Sequence, residues 1–194
     1  MIALAKALSE DEKVAAAKYY AAQRGGPPLR VMETDHAPPA RLVGSRYVAT
    51  GSDHTELLVN RILEVADDPE QSEELDNPHF GYIAYVPRGS MARGRRLATT
   101  GNGKDGNAYR KKAAATHACN NCHGADLLGV GDAPPIAGRS PSYLVRQLYD
   151  FKTGARDGIQ AGVMEPVVAH LTPAQMTDIA AYVAALPRTR ADRH

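Results

Sequence analysis

Val14, Ala17, Tyr20 and Ala21 recur at helical spacing and predict a helix over residues 9–22. Ser9 and Glu12 form a capping box at its start, and Gly25-Gly26-Pro27-Pro28 stops it. Leu144, Leu148 and Phe151 share one face of a second helix, which opens on the Ser140-Pro141 cap and runs to about Thr153, before Gly154. Thr172-Pro173-Ala174-Gln175 is another capping box, with Leu171 and Met176 placed as a hydrophobic staple. That helix is expected to run to about Leu186, ahead of Pro187. A shorter helix is predicted from a Ser90 cap to about Ala98, and residues 154–170 read as a loop.

Residues 27–88 carry a different pattern. Arg41–Thr50, Leu57–Val65 and Phe80–Val86 are rich in Val, Ile and Tyr, which predicts short strands. Charge is distributed unevenly around them. Asp53, Glu56, Glu64, Asp67, Asp68, Glu70, Glu73, Glu74 and Asp76 stand against Arg61 alone, read here as a solvated loop with a docking surface as the alternative. From Arg88 onward the sign reverses, with Arg93, Arg95, Arg96, Lys104, Arg110, Lys111 and Lys112 against Asp105. These cations are either a solvated face or a basic rim that steers an acidic partner. Over all 194 residues the net charge is +1, so no global attraction to nucleic acid or membrane follows. Tryptophan is absent and phenylalanine scarce, which leaves Tyr, Leu, Val and Ala to build the core. No apolar run approaches the roughly twenty residues that a membrane span needs.

The only two cysteines lie in Cys119-Asn120-Asn121-Cys122-His123. Cys-x-x-Cys-His is the attachment signature of a c-type haem. Two thiols one helical turn apart can each add to a vinyl group on one porphyrin edge, and the imidazole that follows ligates the iron. A tetrahedral zinc site wants four ligands, and no second cysteine pair exists to supply them. A thiol–disulfide centre would follow a strand, whereas residues 111–117 read as a loop or helix. A covalent haem carries more apolar surface than any side chain, so the surrounding chain is expected to fold as its envelope.

Iron needs a second axial ligand. Met176 is explained by the staple, Met91 lies in the first helix and Met32 lies far off. Met164, in the expected loop between two helices, is the candidate, and His170 is the alternative. A thioether raises the potential relative to a second histidine.

Gly94 and Leu97, Cys119–His123, Pro134-Pro135-Ile136-Ala137-Gly138, Met164 and Tyr182 together resemble class I cytochromes c across residues 88–187. The resemblance implies that the first and last helices cross at Gly94 and Tyr182. It also implies that Pro134 offers its carbonyl to the imidazole of His123. Residues 1–23 moreover align without gaps on residues 164–186, with Ser9 and Glu12 on Thr172 and Gln175 and Tyr19 on Tyr182. In this the whole chain resembles the two-domain dihaem cytochromes c. The expected fold class is mainly α: residues 1–25 as a remnant helix of a preceding cytochrome domain, 26–87 as a linker with short strands, and 88–194 as the haem domain. Leu4, Leu8, Val14 and Tyr20 of the remnant should then be buried on some other surface.

The resemblance implies an electron carrier with one covalent haem c, held by Cys119 and Cys122 and ligated by His123 and Met164. Its expected partners are redox proteins such as a membrane dehydrogenase, an oxidase or a reductase, with a membrane-associated complex as one setting and no nucleic acid. The alternatives are a cytochrome subunit of a larger dehydrogenase, or an open-site haem protein acting as a sensor or peroxidase. The expected compartment is the periplasm, where such haems are attached. Residues 1–23 lack the apolar stretch of a secretory leader, so a leader is expected to have been removed or to lie upstream.

Overall fold

The computed structural model describes residues 2–22, 29–70, 80–102 and 116–189. Helices α1 (Ile2–Ala7) and α2 (Glu10–Ala22) come first. Seven strands follow: β1 (Leu29–Thr34), β2 (His36–Ala37), β3 (Ala40–Val43), β4 (Arg46–Ala49), β5 (Glu56–Leu57), β6 (Leu63–Ala66) and β7 (Tyr82–Pro87). The remaining helices are α3 (Ser90–Thr100), α4 (Asn120–His123), α5 (Pro141–Thr153), α6 (Ala161–Val168) and α7 (Pro173–Ala184).

The strands are more than a string of short extended pieces. Five of them make one mixed sheet in the order β1-β7-β6-β4-β3, and β2 pairs with β5 in a second, two-stranded sheet. β7 is an interior strand, parallel to β1 on one side and antiparallel to β6 on the other. Its Ala84, Tyr85 and Val86 are buried, as a strand covered on both edges and both faces requires. Ala37, Leu58, Val65 and Tyr85 form a small core of their own. The expectation of a mainly α chain therefore fails over residues 29–87, where the described elements are strands. β1 was not anticipated, and the strand expected over Leu57–Val65 is broken at Asn60, which sits at φ 53°. Asparagine tolerates that left-handed conformation better than most residues. Glu56 and Glu64 accordingly lie on strands, not in a solvated loop.

The helical half is built on the crossing of α3 and α7. A Cβ on Gly94 would lie 1.9 Å from the Asp178 carbonyl oxygen and 3.0 Å from the Tyr182 Cβ, so only glycine allows the two backbones this approach. Arg93 locks the crossing, donating Nε at 2.9 Å and Nη2 at 2.8 Å to the buried carboxylate of Asp178. Leu97, Leu144, Val168, Leu171, Met176, Ile179 and Val183 pack around it as the main core.

The helix caps follow the sequence closely, with one exception. Ser140 Oγ accepts from Tyr143 N–H, and Thr172 with Gln175 forms a full capping box. Ser90, by contrast, is the first helical residue of α3, and the cap position falls to Gly89, which has no side chain to offer. The missing acceptor comes from the sheet, where Glu33 of β1 accepts from Met91 N–H at 2.7 Å. Glu64 of β6 does the same for α5, accepting from Ser140 Oγ at 2.8 Å and from Ser142 N–H at 3.4 Å. Thr177 of α7 donates to the Asn60 carbonyl at 3.3 Å, and Ile62 packs on the helical core. The sheet is thus docked on the helices by carboxylates placed where helix dipoles favour them.

Residues 154–170 are not all loop. Gly158, Gly162 and Pro166 read as breakers, yet Ala161, Met164 and Val168 share one face and turn the stretch into α6. Burial of Val168 outweighs the helix cost of Pro166.

At the other end, α2 forms its predicted capping box: Ser9 N–H donates to Glu12 Oε2 at 2.8 Å and Glu12 N–H to Ser9 Oγ at 3.3 Å. These bonds hold the Glu12 carboxyl below the usual carboxylate range. The expected burial does not occur: α2 buries no side chain, Leu4 of α1 and Val14, Tyr19 and Tyr20 of α2 are exposed, and Leu8 between them is half-buried.

Two outcomes follow from this packing. Gly94→Ala should cost about 2–3 kcal/mol, the upper range for overpacking, because backbone and not a flexible side chain is in the way; a urea midpoint unchanged from wild type would contradict the crossing. Brief trypsin treatment should cut after Lys13 and Lys18 before it cuts after Arg146 or Lys152 in α5, read by mass spectrometry; equal protection would mean that α2 has a covering surface.

Candidate functional site

The cysteine motif is placed by the end of α3. Gly101 closes that helix in the left-handed region, and the Ala98 carbonyl, left over at its last turn, accepts from Cys119 N–H at 2.7 Å. From there α4 makes one turn, with the Cys119 carbonyl accepting from His123 N–H at 2.9 Å. Cys119 is half-buried, Cys122 is exposed, and both thiols are free. Burial pushes the Cys119 thiol up to about 11, so it is neutral at physiological pH.

His123 is buried, and its Nδ1–H donates to the Pro134 carbonyl at 2.8 Å. The carbonyl is held firmly. Leu127 O accepts from both Ile136 N–H and Ala137 N–H, and Gly138 N–H donates to Val183 O of α7. Gly129 is needed inside this loop: at φ +88°, a Cβ there would lie 2.9 Å from both Ala133 O and Pro135 N. In the neutral imidazole a proton held on Nδ1 leaves the Nε2 lone pair to a metal, and such a hydrogen bond fixes the ring's orientation.

Met164 lies on α6, half-buried against the helical core. Met176 is fully buried with Leu171, as a staple should be, and Met32 is exposed on β1. His170 is exposed just after α6. Cys119, Leu128, Ile136, Leu148, Phe151 and Met164 are all partly buried apolar residues on the same core. The donor set fits a covalently held haem on its chemistry: two free thiols one turn apart, an imidazole tied through Nδ1 to a backbone carbonyl, and apolar side chains half-covered beside them. Among the described residues, no three His, Cys, Asp or Glu side chains gather as a metal cluster.

The expected charge features are only partly available for steering. Arg93 is committed to Asp178, and Arg88 pairs with Asp35 at 2.9 Å. Arg95 and Arg96 are exposed on α3. Lys104, Arg110, Lys111 and Lys112, like Glu73, Glu74 and Asp76 of the acidic stretch, lie outside the described residues. A cleft of about 600 Å³ lies between sheet and helices, lined by Arg46, Arg61, Glu64, Tyr82 and Arg146 among others, and contains no residue of the motif.

One residue of this region was missed by sequence reading. Thr116 is buried and donates Oγ1 to the Val167 carbonyl at 2.6 Å, joining the approach to Cys119 with α6. Nothing in its spacing announces that contact, since the two residues are brought together only by the fold.

Comparison with known proteins agrees with this geometry. The cytochrome c family model matches residues 108–187. A cytochrome c-554(548) of Halomonas halodenitrificans is 35% identical over 65 residues, which cover 33% of this chain and 78% of that protein. A thiosulfate dehydrogenase electron acceptor of Thiomonas intermedia is 35% identical over 109 residues, covering 55% of this chain and 46% of that protein. A cytochrome c4 of Thiocapsa roseopersicina is 37% identical over 87 residues, covering 43% of this chain and 42% of that protein. The chain spans less than half the length of these last two relatives. With its cysteine pair, its hydrogen-bonded histidine and a glycine at the helix crossing, the chain belongs to the cytochrome c family.

Proposed function

We propose that the chain is an electron carrier that holds one haem c covalently through Cys119 and Cys122, with His123 and Met164 as axial ligands. The observation that carries this reading is the His123 Nδ1–H bond to Pro134 O, 2.8 Å, next to two free thiols one turn apart. Bound there, the haem supplies the one-electron couple of its iron. The protein's own work is to hold and shield. Pro134 fixes the plane of His123, and Cys122 would hold the haem from an exposed position. Met164 brings a thioether, which favours the reduced state over a second imidazole. No group of catalytic acids, bases or nucleophiles enters this reading, so the chain would serve an oxidoreductase without being one.

The likeness to a thiosulfate dehydrogenase electron acceptor supports a dehydrogenase as electron donor. An oxidase or reductase would accept the electron, in the periplasm. Among the described residues no helix is long and apolar enough to cross a membrane. The same family reading extends to residues 1–25, which we take to share descent with α6 and α7. Supporting this, the capping boxes of α2 and α7 form the same reciprocal bonds, with Thr172 N–H donating to Gln175 Oε1 at 2.9 Å and Gln175 N–H to Thr172 Oγ1 at 3.2 Å. Residues 26–87 then join the two units and dock on the second.

The first test is haem attachment. After export and maturation the haem should stay with the polypeptide through acid–acetone extraction and a denaturing gel, and Cys119→Ala with Cys122→Ala should release it. Haem extracted from the unaltered protein would overturn the covalent reading. The second is the axial pair. The ferric protein should show the weak far-red band of methionine-ligated haem, and Met164→Ala should abolish it and open the ferrous protein to carbon monoxide. A band that survives in that variant would identify another ligand, with His170 first in line.

A further inference from the structure

α6 is poorly equipped to hold its own position. It has eight residues, with Pro166 inside, and such a short helix has little intrinsic stability in water. Proline also removes one of the few internal hydrogen bonds available. Its placement must come from ties to the rest of the molecule. Burial of Ala161 and Val168 provides part of it. Thr116 adds a hydrogen bond.

Thr116 is bound on two sides. Its N–H donates to the Gly101 carbonyl at 3.2 Å, beside the Ala98 carbonyl that receives Cys119 N–H. The contact with α3 is close: a Cβ on Gly101 would lie 2.3 Å from the Thr116 carbonyl oxygen. The side chain reaches the other way and donates Oγ1 to Val167 O at 2.6 Å, across 51 residues of sequence. Val167 is in the last turn of α6, where carbonyls have no partner within the helix. Thr116 is only 6% exposed, so water does not readily replace its hydroxyl. One side chain therefore spans from the segment that carries Cys119 and His123 to the helix that carries Met164.

We infer that Thr116 is a positioning residue for Met164, its hydroxyl fixing the distance between α6 and the cysteine–histidine turn. This rests on the reading of Met164 as an axial ligand. Without the hydroxyl, α6 keeps its burial at Val168 but loses the bond nearest the motif, and the thioether is held less firmly.

The test is an imidazole titration of the ferric holoprotein, followed by loss of the far-red band. In Thr116→Val imidazole should displace the methionine with about ten-fold higher apparent affinity, the effect of losing one hydrogen bond to a part-buried carbonyl, and Thr116→Ser should return to within about two-fold of wild type. Thr116→Ala, which sets no methyl against the carbonyl, must show the same change and serves if the valine variant fails to fold. Ser140→Ala removes a helix cap elsewhere; it should lower the melting temperature and leave the imidazole affinity unchanged. An unchanged affinity in both Thr116→Val and Thr116→Ala, with the band intact in the wild type, overturns the role of Thr116 and leaves Met164 as ligand. A change that serine does not reverse, or that Ser140→Ala reproduces, overturns it as well, since general loosening would then suffice. A wild-type protein without the band removes both readings.

Discussion

The close approach of α3 and α7 at Gly94 is the constraint on which the rest depends. With no side chain in the way, the Asp178 carbonyl meets the Gly94 Cα, and the Asp178 carboxylate is free to take Arg93. That crossing fixes the direction of α3, and therefore where its last carbonyls point. Ala98 and Gly101 then receive Cys119 and Thr116, so the cysteine turn is hung from the end of a helix whose course is set four residues earlier. The other end of the site is fixed by α7, whose Val183 carbonyl holds Gly138 and with it the loop that presents Pro134 to His123. Both sides of the imidazole are thus positioned by one helix pair.

The sheet acts on the same pair from outside. Glu33 and Glu64 complete the N-termini of α3 and α5, ends that would otherwise leave backbone N–H groups to water. A carboxylate at a helix N-terminus is favoured by the dipole as well as by the hydrogen bond, typically by about 0.3–1 kcal/mol when exposed and more when partly buried. Glu33 is on the edge strand β1 and Glu64 on the central strand β6, so the sheet and helices reinforce each other's geometry. Glu64, which the sequence reads as solvated charge, is therefore structural, as is Glu33, and so is Arg93 among the cations.

α2 shows how far local signals go without packing. Its capping box forms as in α7, its boundaries agree with the sequence pattern, and yet it buries nothing. Capping needs only four consecutive residues. Burial needs a facing surface, and α7 has one in α3 where α2 has none among the described residues. The same helix pattern, twice in one chain, gives a core element in one place and an exposed one in the other.

The amino-acid sequence by itself determined what is local or covalent. The Cys119–His123 motif, the caps at Ser9, Ser140 and Thr172, and the helix end at Gly154 depend on neighbours within a few residues, and each could be read directly. The pairing of Gly94 with Tyr182, and of Pro134 with His123, was also legible, but only through resemblance to a family whose members share those residues. The tertiary structure alone decided the rest. It assembled β1 with β7 into a sheet, because parallel pairing joins segments separated by a long connection and leaves no turn signature. It made α6 a helix despite Pro166, because burial of Val168 outweighs propensity. It moved the cap of α3 from Ser90 to Glu33, and it joined Thr116 to Val167, since a hydrogen bond between residues 51 apart exists only once the backbone between them has folded.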